Sequence, residues 1–256
     1  MAVFNDVNSF DDGALLFADN VLMVQNLVNF TGSGSRSSGT RVWLDHGRTS
    51  ACAGLSCATF TTFQSTIEGH GMTFELIVSS SGTLTSFPAD LKVIFLWLST
   101  QTYPVAEINA LKLFAAEGGR IVYVGEWDGF LGATGIAVEN QFLSDMGAQM
   151  QNIGDAVDCG SVDLPGTSLR AHQITTGMTG VRVGCASVIV PGPNDFALFF
   201  DSTNTKVLAG VAKIDVTPLP SPSPSAALRA PNVVAGPTSK DPAGRHLASE
   251  VPLRNR

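Results

Sequence analysis

The sequence predicts an α/β domain, a three-layer, doubly wound and mostly parallel sheet with short β-rich additions near its C-terminus. Three observations carry this expectation. Leu91–Leu98 and Arg120–Gly125 are almost unbroken apolar runs, the pattern of strands covered on both faces. The segment between them has helical punctuation. Pro104 suits a first helical position, Glu107 suits the positive N-terminal dipole, and Gly118-Gly119 closes the far end. Ile108, Leu111 and Ala115 recur at helical spacing, and Leu113 and Phe114 widen the apolar face. Strands joined by such a crossover run parallel in one sheet.

The rest of the chain follows around this unit. Ala2-Val3-Phe4 is a short strand, and Asn5 and Asp6 end it. After a loop, Asp19 stands where it can cap a helix over Asn20–Phe30, whose inner face is Val21, Val24, Leu27 and Val28. Thr31–Thr40 is Gly/Ser-rich and reads as a flexible loop. Arg41–Gly47 is a second buried strand, Thr59–Gly69 a helix with Phe60, Phe63 and Ile67 inward, and Phe74–Val78 a third strand. Val138–Met150 is a further helix. Val157–Cys159, Val181–Val190, Phe196–Phe200 and Lys206–Ala212 then read as short strands among turns. At Val216 the composition breaks into Pro and Ser. A domain over 1–215 and a disordered Pro/Ser-rich tail over 216–256 are expected, because the tract has no apolar periodicity to offset its ordering entropy.

Composition narrows the function. In 256 residues, 44% are hydrophobic and only 14% charged, so a sizeable core is affordable. The net charge of −7 argues against a nucleic-acid partner. No apolar run is long enough for a transmembrane helix. No signal peptide stands at Met1, so the chain is either cytosolic or a mature part of an exported protein. The abundance of Ser, Thr, Gly and Asn tips the expectation towards export or the cell envelope. The four cysteines are even in number and include no C-x-x-C, which is compatible with Cys52 bridging Cys57 and Cys159 bridging Cys185.

In open α/β sheets, ligands bind beyond the carboxyl ends of the strands. Those ends supply Asn5 and Asp6, Asp45 and His46, Ser99 and Thr100, then Glu126, Trp127 and Asp128. Asp6, Asp45, His46, Glu126, Asp128 and His172 are therefore the candidate ligand-binding residues, with Glu126, His46 and Asp45 the candidates for catalysis. Polar strand ends also cap helices and bind water whatever the function, and that plainer reading has the greater weight. The spacing supports no metal site and no cofactor, and neither a G-x-S-x-G elbow nor a Walker loop is present.

Ala106–Trp127, a helix followed by Gly-Gly-Arg and the strand Ile-Val-Tyr-Val-Gly-Glu, resembles the core of the class I glutamine amidotransferase-like superfamily. The likeness is greatest to its non-classical branches, which include trehalose-utilisation-protein-like and uncharacterised bacterial domains. His172-Gln173-Ile174-Thr175-Thr176-Gly177 resembles their His-Pro-Ile-Thr-x-Gly segment, with the strand Ala186–Val190 after it. Asp19-Asn20 and Asn26-Leu27-Val28 resemble their Asp-Asn and Asn-Leu-Val pattern. The resemblance spans roughly residues 1–212 and implies a flavodoxin-like fold. It also implies a nucleophilic cysteine at the position held here by Glu126, and a His-x-Glu pair where His172 is followed by Gln173 and Ile174. Without a thiolate, glutamine hydrolysis is not expected. Two readings follow. One is a catalytically silent module that binds a small molecule or protein partner. The other is a hydrolase or metal-assisted enzyme using Asp45, His46, Glu126 and Asp128.

Overall fold

The computed structural model describes residues 1–30, 32–49 and 60–220. The proposed Cys52–Cys57 bridge and all of the tail beyond Pro220 lie outside the described residues. The chain runs from β1 (Ala2–Phe4) through a 3-10 turn (Val7–Phe10), α1 (Asp12–Leu15) and α2 (Asn20–Asn29) to β2 (Arg41–Asp45). It continues as α3 (Thr61–Gly69), β3 (Thr73–Ile77), β4 (Leu91–Trp97), α4 (Val105–Ala116), β5 (Arg120–Val124) and α5 (Asp128–Asp145). The C-terminal part is strands with two 3-10 turns between β7 and β8, Gly166–Ser168 and Gln173–Thr175: β6 (Gln151–Val157), β7 (Val162–Pro165), β8 (Gly180–Val183), β9 (Ala186–Val190), β10 (Phe196–Phe200) and β11 (Val207–Val211).

Among the described residues, nine strands form one sheet in the order β3-β2-β4-β5-β1-β11-β9-β6, with β10 also paired to β11. The first five are parallel, and the expected neighbours β2, β4 and β5 lie side by side, with Leu44 opposite Phe95 and Phe95 opposite Val122. From β1 onward the ladder turns antiparallel. β7 and β8 form a separate two-stranded ribbon.

All seven residues of β4 are buried. Its alternate side chains divide between two apolar clusters, as a strand's period of two demands. Val93, Phe95 and Trp97 join residues of α2 and α3, including Val24, Leu27, Phe63 and Ile67. Ile94 and Leu96 join Ile108, Leu111 and Phe114 of α4 and Phe142 and Leu143 of α5. The first cluster is built around Phe10, whose ring edge meets Phe4, Phe63, Phe95 and Trp97 at centroid distances of 5.3–6.2 Å. Each such ring contributes about 1.5–3 kcal/mol by burial, with edge-to-face contact adding to it.

Several elements differ from expectation. Pro104 is the N-cap of α4 rather than its first helical residue. The helix expected from Val138 begins ten residues earlier, at Asp128, and kinks at Gly132 (φ 74°). Gly129, Gly132 and Gly135 lower the helix propensity of that stretch and hid its start. The single strand expected over Val181–Val190 is two, β8 and β9, broken at Cys185 with φ 64°. Cys159 lies in a turn, not a strand, and is joined to Cys185 as expected. That bridge agrees with an oxidising compartment. Among the described residues, no helix is long and apolar enough to cross a membrane.

The expected boundary at Val216 also moves. Leu219 exchanges two hydrogen bonds with the Asn109 side chain, donating its N–H at 2.6 Å and accepting from Nδ2 at 3.0 Å. Lys112 Nζ donates to the Thr217 carbonyl at 3.0 Å, and Leu219 packs on the second apolar cluster. Residues 216–220 are thus part of the fold. A chain ending at Pro220 should melt a few degrees above one ending at Asp215, the shift expected for about 1–2 kcal/mol in a domain of this size. Equal midpoints in parallel thermal melts would refute the docking.

Candidate functional site

Because the five parallel strands share a direction, their carboxyl ends deliver Asn5, Asp6, Asp45, Ser99 and Glu126 to one edge of the sheet. β4 turns there through Leu98, a buried non-glycine residue at φ 47° whose N–H donates to the Val124 carbonyl. The polar residues that follow are buried, so their groups must find partners inside the protein. They do so in two separate sets.

The first set gathers at the ends of β1 and β5. Glu126 is 1% exposed, and its two carboxylate oxygens accept from the backbone N–H groups of Val7 and Trp127, both at 3.0 Å. Asp6 accepts from Asn8 N–H, from Ser9 Oγ at 2.6 Å and from Gly184 N–H at 2.9 Å. Glu139, from the interior of α5, accepts from Asn152 Nδ2 at 2.8 Å, while its Oε1 has no partner. Asn152 also donates to the Glu126 carbonyl and accepts from Ser187 Oγ and Gly154 N–H. Asn5 stands against Glu139 closely enough to temper its pKa, yet neither end of its buried amide completes a hydrogen bond.

Three carboxyl groups, with no cation among the described groups that act on them, are pushed towards the neutral form. Burial dominates for each. It raises Asp6 to about 6 against the opposing bonds from Ser9, Gly184 and Asn8. It raises Glu139 to about 8 against Asn152 and Asn5. Glu126 is raised well above the usual carboxylate range by burial and then by the charge of Asp6, with Glu139 adding less. The Trp127 and Val7 amides pull it the other way and do not prevail. Gly125 makes the close approach possible, since a Cβ there would lie 2.2 Å from Glu139 Oε2 and 2.8 Å from Asn5 Oδ1.

The second set lies beyond β2, β3 and β4. Asp45 accepts from the N–H groups of Gly47 and Ser79 and from Ser79 Oγ. Ser79 Oγ in turn accepts from Arg48 Nε at 3.0 Å. Arg48 is 1% exposed and fully engaged. It donates to Thr102 and Ser80 carbonyls, pairs with the buried Glu107 at 2.6 Å, and lies 4.3 Å over the Tyr103 ring. Tyr103 OH shares a hydrogen bond with Ser99 Oγ, and burial pushes its pKa upward. A buried ion pair whose cation also bonds Ser79, Ser80 and Thr102 holds their loops together by geometry more than by net charge energy.

The candidates from sequence therefore divide. Asp6 and Glu126 do meet, electrostatically and through the turns they anchor. Asp45 belongs to the Arg48 set, and neither Asp45, His46 nor Asp128 is among the groups that perturb Glu126. His46 is half-buried at the end of β2, its backbone N–H bonded to Ile77. Asp128 is exposed on the first turn of α5, where it suits the helix dipole. His172 lies towards the other edge of the sheet. Its Nδ1 accepts from Ile174 N–H, capping a 3-10 turn, between the rings of Phe30 and Phe196. Burial, and then the amino group of Met1 at the start of β1, lowers its pKa. Among the described residues no three His, Cys, Asp or Glu side chains gather as a metal would require.

Arg48, Glu107, Glu139 and Asn152 were not singled out by sequence. Glu107 was read only as a dipole partner, and Glu139 sits unmarked in a helix. The resembling segments, by contrast, bind each other. Asn26 Nδ2 donates to the Ile174 and Thr176 carbonyls, and Asp19 accepts from Thr179 and Gly180. Asn20 holds Ser9 and Arg182. Their shared residues fasten α2 to the C-terminal strands. One open cleft of about 390 Å³ lies at this edge, past the end of β1, with Asn8, Asp11, Phe17, Arg182, Gly184 and Cys185 in its walls.

A carboxyl whose pKa is raised on folding retains a proton that the unfolded chain has already released. The stability it contributes is complete below the unfolded value and is lost as pH rises through the folded one. For Glu139 that window runs from 4.5 to about 8. Glu139→Gln should therefore lose less stability than wild type between pH 5 and pH 8, by on the order of a few kcal/mol at about 1.4 kcal/mol per pKa unit. Comparing the two proteins cancels the other groups, such as the buried Met1 amino group at about 5, which works in the opposite sense. Parallel pH slopes in chemical denaturation would show that Glu139 is charged in the folded protein. Gly125→Ala should destabilise by about 1–3 kcal/mol through overpacking, checked by the same melts; an unchanged midpoint would contradict the crowding. No protein-family model, no curated protein and no solved structure matches this chain.

Proposed function

We propose that this chain is an amidotransferase-like domain of the doubly wound, three-layer type that has no hydrolytic nucleophile and serves as a binding or interaction module. The observation that carries the reading is Glu126. It follows β5, where the resembling enzymes place a thiol, and it is buried with both oxygens held by backbone amides. A carboxyl so fixed is an anchor between two turns and cannot reach a substrate. The strand order supports the scaffold. Counting β1 last, the parallel order 3-2-4-5-1 becomes the flavodoxin-like order 2-1-3-4-5. In that order the ligand crevice falls between β2 and β4, which is where the Arg48 side chain bridges the loops. The protein's own guanidinium fills it. The binding surface is then the open cleft past β1, with its mixed polar and apolar walls.

The test combines a glutaminase assay with a thermal-shift screen of polyols and amides on wild type, Glu126→Gln and Phe17→Ala. The expected result is no glutamine turnover, and stabilisation by a ligand that survives Glu126→Gln but is lost in Phe17→Ala. Turnover of glutamine by wild type would overturn the silent-domain reading. Stabilisation unaffected by Phe17→Ala would move the binding surface elsewhere.

A further inference from the structure

We propose that the Cys159–Cys185 bridge is a thiol-exchange site, a clasp on a hinge beside the cleft that a dithiol reductant opens by attack on Cys159. The two cysteines do not staple neighbouring strands of the main sheet. They sit where two strands leave it. β6 and β9 are paired up to Val157 opposite Ala186, and the pairing resumes with Val162 of β7 opposite Val183 of β8 in the separate ribbon. Between the two ladders lie residues 158–161 and 184–185, and the bridge joins these turns.

The backbone of both turns is unusual. Asp158, Ser161 and Cys185 have φ of 50°, 62° and 64°, and Gly160 has 99°. Three non-glycine residues in the left-handed region each carry a conformational penalty, and the surrounding connections must maintain them. Besides the bridge, those connections are hydrogen bonds: Cys185 N–H to the Asp158 carbonyl, Gly184 to Asp6 and Asn8, and Ser202 N–H and Oγ to the Asp158 carboxylate. The ribbon beyond the hinge carries Arg182, and with Gly160, Ser161, Gly184 and Cys185 it forms one wall of the cleft. The other wall, Asn8 to Phe17, belongs to the first helices.

Access is asymmetric. Cys159 is exposed and Cys185 is half-buried. A thiolate from solvent therefore reaches Cys159 Sγ, and the disulfide electron pair leaves on Cys185, which takes up a proton. The second thiol of the reductant then attacks the mixed disulfide and releases Cys159 as a thiolate, which is protonated. The protein gains two electrons and two protons, and the dithiol is oxidised to a disulfide. With the clasp gone, five hydrogen bonds hold turns that favour other conformations; Asn20 still fastens the ribbon at Arg182, and the turns, with the part of the cleft wall they form, move. This inference stands apart from the binding reading, since it concerns the covalent state of the wall.

The experiment treats the full chain with graded dithiothreitol at neutral pH without denaturant. Free thiols are then trapped by alkylation, and the peptides are mapped so that Cys159 and Cys185 are distinguished from Cys52 and Cys57. Hydrogen exchange and circular dichroism are recorded on the same samples, and a monothiol in excess is used to trap the mixed disulfide. The expected result is alkylation of Cys159 and Cys185 in a protein with its native spectrum, faster exchange confined to residues 158–161 and 184–185, and the trapped adduct on Cys159. Reduction only when the fold melts would overturn the proposal. So would exchange at the two turns unchanged by reduction, or an adduct carried by Cys185.

Discussion

The rest of this structure depends on the burial of β4 along its whole length and of its neighbour β5 beyond Arg120. A strand whose successive side chains all face apolar layers leaves no solvated side, so helices must cover both faces and the connections must cross over. Val93, Phe95 and Trp97 take one layer, and Ile94 and Leu96 the other. The helix between the two strands is fixed by the same demand, since α4 presents Ile108, Leu111 and Phe114 to the layer that Ile94 and Leu96 enter. Neither strand can slip by one residue without exchanging every side chain between layers.

The same burial governs the chemistry at the strand ends. Once the helices close over the sheet, the polar residues that terminate the strands are shut in with it. The protein resolves this in two ways along a single edge. Around Arg48 it supplies a cation, which pairs with Glu107 Oε1 and reaches Asp45 through Ser79 Oγ. Around Glu126 it supplies backbone amides and Asn152 but no cation, so desolvation wins and the pKa values of the carboxyls rise. The asymmetry comes from the chain itself. Arg48 follows β2 by three residues, whereas nothing basic follows β1 or β5 closely.

Much of the scaffold was legible because its signals are local. Unbroken apolar runs gave β2, β4 and β5, and capping and glycine signals gave α4 between them. What escaped was set by distant partners. The strand β6 carries Asn152, Gly154 and Asp155, which are poor strand formers, and only its pairing with β9 makes it a strand. The helix α5 contains three glycines that local propensity rejects, and packing on Tyr123 through Phe142 restores it. The candidate site was legible as to its edge and illegible as to its membership. Strand ends name Asp6 and Glu126, but Glu139 comes from mid-helix, and no periodicity distinguishes it from a solvated glutamate. Nor does the sequence show that Asp45 turns to Ser79, because the intervening residues number in the thirties.

The resembling motifs teach the last point. Asp19, Asn20, Asn26 and the His172–Gly177 segment invite a catalytic interpretation, since Asp, Asn and His are the residues of active sites. In three dimensions they satisfy one another's backbones: Asn26 closes the carbonyls at Ile174 and Thr176, and His172 caps the turn that presents them. Carbonyls at an irregular segment outside any ladder need donors, and an amide side chain on a nearby helix is an economical source. A likeness built on such residues therefore concerns how the helix after β1 is fastened to the C-terminal strands. That joint involves none of the residues at the end of β5.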